Sequence, residues 1–163
     1  MRRLALSTQL YLLAFLIWAI DFSSKLWAVE NLSASPRKII GNFLQLTLVR
    51  NSGAAFSFAT GFTLIFTAIA LTVFIVLSQY ARRFTSRGWA IAAGLVLGGV
   101  SGNLTDRIFR SPGFMYGYVV DWIELPHWPV FNAADSAIVL AACIAFILTL
   151  KGITPVEKNQ ERR

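Results

Sequence analysis

Cysteine and histidine are almost missing: Cys143 and His127 are the sole examples. One thiol excludes an internal disulfide, and one thiol with one imidazole cannot build a zinc site of these ligands. Within an apolar run, Cys143 reads as a small hydrophobe. No serine stands in a nucleophile-elbow motif, and a serine–histidine hydrolase would have to use the single ring between Pro126 and Trp128. Charge is scarce as well. Charged residues make up 14% of the 163 and apolar residues 56%, against about 25% and about 45–50% in a soluble domain. Such a chain cannot clothe a water-facing surface, which excludes a disordered protein and an ordinary soluble enzyme. Gly98-Gly99-Val100-Ser101-Gly102 lacks the lysine and spacing of a phosphate loop. The formal charge of +7 comes without aromatic interleaving, so no nucleic-acid partner is expected. On an apolar chain the excess marks cytoplasmic loops.

Long apolar runs are what the chain has. A span needs roughly 20 apolar residues, because the hydrocarbon layer is about 30 Å thick and a helix rises about 1.5 Å per residue. Four stretches qualify, at about 4–28, 61–80, 88–106 and 132–151. The expected fold is a mainly α membrane protein, one integral domain over 1–163, with four transmembrane helices and a small extramembrane β-sheet on the outer face. Arg2-Arg3 before an apolar run is signal-peptide-like, but no small-x-small site follows a short core, so an uncleaved first span is expected. Arg2, Arg3, Arg82, Arg83, Arg87, Lys151, Lys158, Arg162 and Arg163 crowd short segments beside the spans. That pattern puts both termini in the cytoplasm. The long outer loops, about 30–60 and 107–131, hold β-prone runs at Phe43–Val49 and Tyr116–Trp122. These two runs are expected to pair. Trp27, Trp122, Trp128, Tyr116 and Tyr118 fall at the same level, where aromatic belts occur. The tail from Pro155 is polar and expected to fray.

This topology sorts the polar residues. Glu157 and Glu161 stay in the inner tail, while Asp21, Glu30, Asp106, Asp121, Glu124 and Asp135 all reach the outer face. Lys25, Asn51, Asn103, Arg107 and Asn132 arrive there too. Charge at membrane depth is costly and marks function. Each residue also has a structural account. Asp21 and Lys25, spaced i,i+4, can form an intrahelical ion pair. Asn103 and Asp106 share a helix face beside Gly98, Gly99 and Gly102, which admit a close neighbour. Asp106 at a helix carboxyl end needs a cation, either Arg107 or Lys25. Asn132 reads as an N-cap, which alone explains Asp135 in the first turn. Asp121 ends a β-prone run, where capping explains nothing. Two adjacent carboxyls cannot both ionise freely: one keeps its proton while the other acts as base. Such a pair can activate water and protonate a leaving amine without a metal. Which two of the four aspartates would pair stays open. The rival reading is a small proton- or ion-coupled transporter subunit. A transport pathway requires polar groups through the full depth, and the inner halves of these spans are almost wholly apolar. A non-catalytic membrane scaffold is a further alternative, weakened by the clustering of acids.

Five motifs in order resemble the bacterial lipoprotein signal peptidase family, signal peptidase II. They are Asp21-Phe22-Ser23-Ser24-Lys25; Asn51-Ser52-Gly53-Ala54-Ala55-Phe56-Ser57; Gly98-Gly99 through Gly102-Asn103 to Asp106-Arg107; Val119-Val120-Asp121; and Phe131-Asn132-Ala133-Ala134-Asp135. The resemblance covers nearly the whole chain. It implies a membrane aspartic endopeptidase that removes the signal peptide from prolipoproteins by cutting before a diacylglyceryl-modified cysteine. It selects Asp121 and Asp135 as the catalytic dyad. Asp21, Lys25, Asn51, Gly53, Asn103, Asp106, Arg107 and Asn132 would line or brace the site. It implies no metal or organic cofactor. It also implies a location in the bacterial inner membrane with the active site near the outer face. The expected partners are the lipidated prolipoprotein and membrane lipids, and a monomer is expected. Two departures stand out. Residues 108–118 form a longer segment than the family pattern, and the segment from Asp121 to Phe131 is shorter. Trp122 and Thr105 also differ from the residue types expected at their positions.

Overall fold

In the computed structural model the described residues are 2–53 and 63–156. Residues 54–57 of the Asn51 motif, Gly61 at the expected start of the second span, and tail residues 157–163 lie outside them. The order of elements is α1 (Arg2–Asn31), β1 (Arg37–Ile40), β2 (Leu44–Asn51), α2 (Thr63–Tyr80), α3 (Arg87–Phe109), β3 (Val119–Glu124) and α4 (Ala133–Leu150). A short 3-10 turn at Ala81–Arg83 follows α2. Each of the four α-helices is long and apolar enough to cross a membrane.

The helices form where glycine and proline are absent or where glycine is used for contact. The sequence of α1 contains neither residue over 30 positions, so nothing interrupts its hydrogen-bond ladder. α3 is the opposite case. It carries glycine at 88, 94, 98, 99 and 102, and each costs up to about 1 kcal/mol of helix propensity. Close packing offsets that cost. A Cβ on Gly98 would lie 2.6 Å from the Ala14 carbonyl of α1, and one on Gly99 would lie 2.6 Å from the Ala134 carbonyl of α4. The two adjacent positions, about 100° apart around the axis, therefore seat two different helices against different faces of α3. As a result α3 is buried for most of its length, while α1, α2 and α4 turn most of their surface outward. Leu6, Leu10 and Ala14 pack with Ala90, Ala93 and Leu97 at one seam. Ala92 and Leu95 meet Ala137 and Ala141 at the other.

At one end of the bundle the three strands form an antiparallel sheet in the order β1-β2-β3. The expected strand pair is present as β2 and β3. β3 begins at Val119 rather than Tyr116, because Met115 takes a positive φ of 68° and the Gly117 N–H turns back to the Arg107 carbonyl at 3.0 Å. β1 is an addition to the expected pair. At the opposite end, the chain leading into the tail is held as far as Pro155. The Thr85 N–H donates to the Pro155 carbonyl at 3.1 Å, and Trp89 Nε1 donates to the Ile153 carbonyl at 2.7 Å.

Candidate active site

Four aspartates converge where α1, α3, α4 and the sheet meet, and their partners divide them into two kinds. Asp21 and Lys25 share one face of α1, and both are buried. Lys25 Nζ reaches Asp21 Oδ2 at 2.7 Å, Asp106 Oδ2 at 3.0 Å and Asn103 Oδ1 at 2.9 Å. These three partners surround the ammonium, one by a hydrogen bond and two as ion pairs. Asp21 Oδ1 accepts the Ala134 N–H at 2.9 Å, which ties α1 to the first turn of α4. Gly102 makes room for this carboxylate: a Cβ there would lie 2.9 Å from Asp21 Cγ. Asp106 takes a second ion pair from Arg110 and accepts the Val120 N–H at 3.1 Å. Asp21 and Asp106 are thus neutralised by cations and spend their oxygens on joining elements.

Asp121 and Asp135 are held differently, by neutral amides. Asn51 Nδ2 donates to Asp121 Oδ2 at 2.9 Å, and Asn132 Nδ2 donates to Asp121 Oδ1 at 2.6 Å. Asn103 Nδ2 donates to Asp135 Oδ1 at 2.9 Å. The two amides are themselves linked, Asn132 Nδ2 to Asn103 Oδ1 at 3.2 Å, so a chain of two asparagines runs from one carboxyl to the other. Among the described residues, no cation makes an ion pair with either acid. Asp135 also completes a capping box. Its backbone N–H donates to Asn132 Oδ1 at 2.9 Å, while its Oδ2 accepts the Asn132 N–H at 3.2 Å. The cap and the site use the same side chains, so capping fixes Asp135 in place rather than competing with a chemical role.

Electrostatics add a mark at Asp121. Burial pushes the Asp121 carboxyl up from its ordinary 3.8 to about 7; the Asn51 amide works against the rise and the neighbouring Asp135 charge adds to it. A carboxyl that keeps its proton near neutrality can act as an acid toward a substrate carbonyl. Beside Asp135 lies a cavity of about 400 Å³, walled by Leu125, Trp128 and Phe131 on one side and by Val139, Leu140 and Cys143 of α4 on the other. An apolar group placed in the cavity would lie directly against a carboxyl. Among the described residues, no three of the His, Cys, Asp and Glu side chains are grouped as a metal would require.

All ten expected site residues fall within this end of the molecule. Gly53 sits at φ 140°, and its N–H donates to Asn51 Oδ1 at 2.9 Å, fixing which way that amide faces. Of the two cations expected for Asp106, Lys25 is the partner; the Arg107 guanidinium instead donates to the Asn51 carbonyl at 3.2 Å and the Gly117 carbonyl at 3.0 Å. The second cation on Asp106 is Arg110, one helical turn further along. Its i,i+4 spacing from Asp106 was the available signal. The backbone donors at Val120 and Ala134 carried none.

A bundle of membrane-crossing helices that joins two amide-bridged carboxyls beside an apolar cavity has the make-up of a membrane aspartic peptidase. A family model described as Signal peptidase (SPase) II matches residues 13–151. The chain belongs to the signal peptidase II family, a family of aspartic peptidases. It is 48% identical over 147 residues to the lipoprotein signal peptidase of Streptomyces coelicolor, covering 90% of this chain and 72% of that one. The lipoprotein signal peptidase of Rhodococcus jostii is 47% identical over 90% of this chain and 74% of its own length. That of Mycobacterium avium is 45% identical over 83% and 75%. The fold resembles that of a solved bacterial membrane enzyme, with a TM-score of 0.76 and 26% identity over 88% of this chain and 94% of that one. Membership in a peptidase family does not favour the transporter alternative.

Proposed function

We propose that this chain is a multi-pass inner-membrane endopeptidase that releases the signal peptide of a prolipoprotein by cutting before its diacylglyceryl-modified cysteine. The observation that carries the assignment of roles is the division of the aspartates: two are neutralised by cations, and two are held only by amides. Asp121 and Asp135 are the catalytic dyad. The apolar cavity beside Asp135 receives the lipid-bearing part of the substrate. Asp135 takes a proton from a water between the two carboxyls, and the resulting hydroxide attacks the scissile carbonyl carbon. Asp121, holding its proton, donates to the carbonyl oxygen as charge develops there. The C–N bond then breaks, and the proton taken from water leaves with the new amine. Asn51, Asn103 and Asn132 hold both carboxyls at the geometry this requires. Asp21, Lys25, Asp106 and Arg107 lock the surrounding elements. The protein works as one integral domain, as a monomer, with both termini in the cytoplasm and the site near the outer face. Its partners are the prolipoprotein and the surrounding lipids.

The test is cleavage of a synthetic lipidated prolipoprotein peptide and its unlipidated counterpart by the purified protein. Cleavage of the lipidated peptide alone is expected, with Asp121→Asn and Asp135→Asn each lowering the rate by at least about 10³-fold while the protein stays folded. Near-normal processing by either variant would remove the dyad.

A further inference from the structure

α2 is the helix least buried by the rest of the molecule, yet its outer end carries two buried threonines, Thr63 and Thr67. In a helix whose other faces meet lipid, buried hydroxyls need partners inside the protein. The Thr63 hydroxyl donates to the Ser52 carbonyl, next to Asn51. Thr67 is fully buried, and its hydroxyl lies 2.8 Å from the Thr63 carbonyl and 2.9 Å from the Met115 carbonyl. A hydroxyl has one proton. The Thr63 carbonyl is already served by the helix ladder, whereas Met115 lies in a turn outside any ladder. The proton is therefore most useful at Met115.

Met115 is two residues before Gly117. The Gly117 carbonyl accepts from Arg107, and the same guanidinium holds the Asn51 carbonyl. Asn51 in turn donates to Asp121. Besides the backbone bonds of Tyr116, Gly117 and Tyr118 to the Gly113, Arg107 and Ser111 carbonyls, the turn therefore has two side-chain holds, Arg107 from α3 and Thr67 from α2, and β3 with Asp121 begins two residues after it.

We propose that Thr67 is a positioning residue for the reaction: its hydroxyl fixes the Met115–Gly117 turn, and through it the Arg107–Asn51 link that orients the Asp121 carboxyl. The proposal rests on the peptidase reading for its kinetic consequence and on geometry for its structural one. It assigns α2 a task that helix packing alone does not give it.

The test compares Thr67→Val, which keeps size and removes the hydroxyl, with Thr67→Ser, which keeps the hydroxyl and removes the methyl. Both proteins are purified full-length and matched for thermal midpoint in the same detergent. T67V is expected to lower kcat for the lipidated peptide at least tenfold with KM within twofold, and T67S to stay within threefold of the parent. Hydrogen exchange of the peptide covering 111–121 is expected to speed up in T67V and not in T67S. Retention of kcat in T67V, equal damage in both variants, or unchanged exchange in T67V would each overturn the proposal. If T67V does not accumulate, Thr67→Cys, of similar size and with a much weaker donor, takes its place. Should the parent protein itself not cleave the lipidated peptide, the peptidase reading fails, and the exchange comparison alone decides whether the hydroxyl holds the turn.

Discussion

At the scale of single residues, the four aspartates show how surroundings divide one side chain into two trades. Asp121 is 2% exposed and titrates near 7, burial being the main cause. In the proposed mechanism its proton goes to the substrate carbonyl. kcat/KM is therefore expected to fall above about pH 7, approaching tenfold per pH unit, and a profile flat to pH 9 would contradict the acid role. Stability carries the same signature with a defined sign. The folded state holds this proton up to about 7, whereas the unfolded chain releases it near 3.8. Stability from this group is thus complete below about 4 and declines as pH rises toward 7. Lys25 tests the other trade. Because its ammonium pairs with Asp21 and Asp106 and donates to Asn103, Lys25→Met leaves two buried carboxylates undercompensated, a loss of about 3–5 kcal/mol. A large fall in thermal midpoint in detergent is expected, and a midpoint within a degree or two of the parent would show the network to be expendable.

At the scale of elements, the glycines of α3 decide where the aspartates meet. Gly98 and Gly99 hold α1 and α4 close enough for Asp21 to bond the Ala134 N–H across the bundle. Gly98→Val would push a side chain into the Ala14 carbonyl and into Ile17 Cβ, the latter 2.7 Å from the added Cβ. Overpacking of this kind costs about 1–3 kcal/mol, and α1 must shift, carrying Asp21 and Lys25 with it. Activity is expected to fall at least 100-fold. Gly88→Ala is the control, because its Cβ meets only the flexible end of Leu148 at 2.9 Å; it should remain near the parent. Equal activity in the two variants would argue against the seam. The glycine stripe was legible in the sequence, as were the apolar runs, because both effects are local and strong. β1 was not. Four exposed residues, two of them charged, carry no alternation, and only pairing with β2 makes them a strand. The start of β3 was misread for the same reason: Tyr116–Tyr118 has strand composition, but the fold of the 115–117 turn around Arg107 overrides it. Of the two cations offered for Asp106, Lys25 is the one that pairs with it; the targets of Arg107 are carbonyls from segments 56 and 10 residues away, which local spacing cannot reveal.

At the scale of the whole molecule, the sequence located the site because alternating spans carry Asp21, Asn103, Asp106, Asn132 and Asp135 to one end. What it could not supply was the shape beside them. The segment after Asp121 brings Leu125, Trp128 and Phe131 beside α4, where they line a cavity that reaches Asp135 and, two turns along the helix, Cys143. Apart from Asp135 and Ser136 its walls are apolar, which suits a lipid chain better than a charged group. Leu140 lines it without touching either carboxyl's hydrogen-bond network, which makes it a clean probe. Leu140→Trp fills part of the volume while leaving a membrane-facing helix apolar. If the lipid-bearing part of the substrate occupies the cavity, this variant should raise KM for a peptide with long acyl chains about tenfold, the equivalent of about 1.4 kcal/mol of binding. KM for a short-chain analogue should move less, and kcat should stay within twofold. Equal effects on both substrates would mean that the chains lie elsewhere, against the bilayer. A fall in kcat with KM unchanged would mean that the cavity serves the geometry of Asp135 instead of holding lipid.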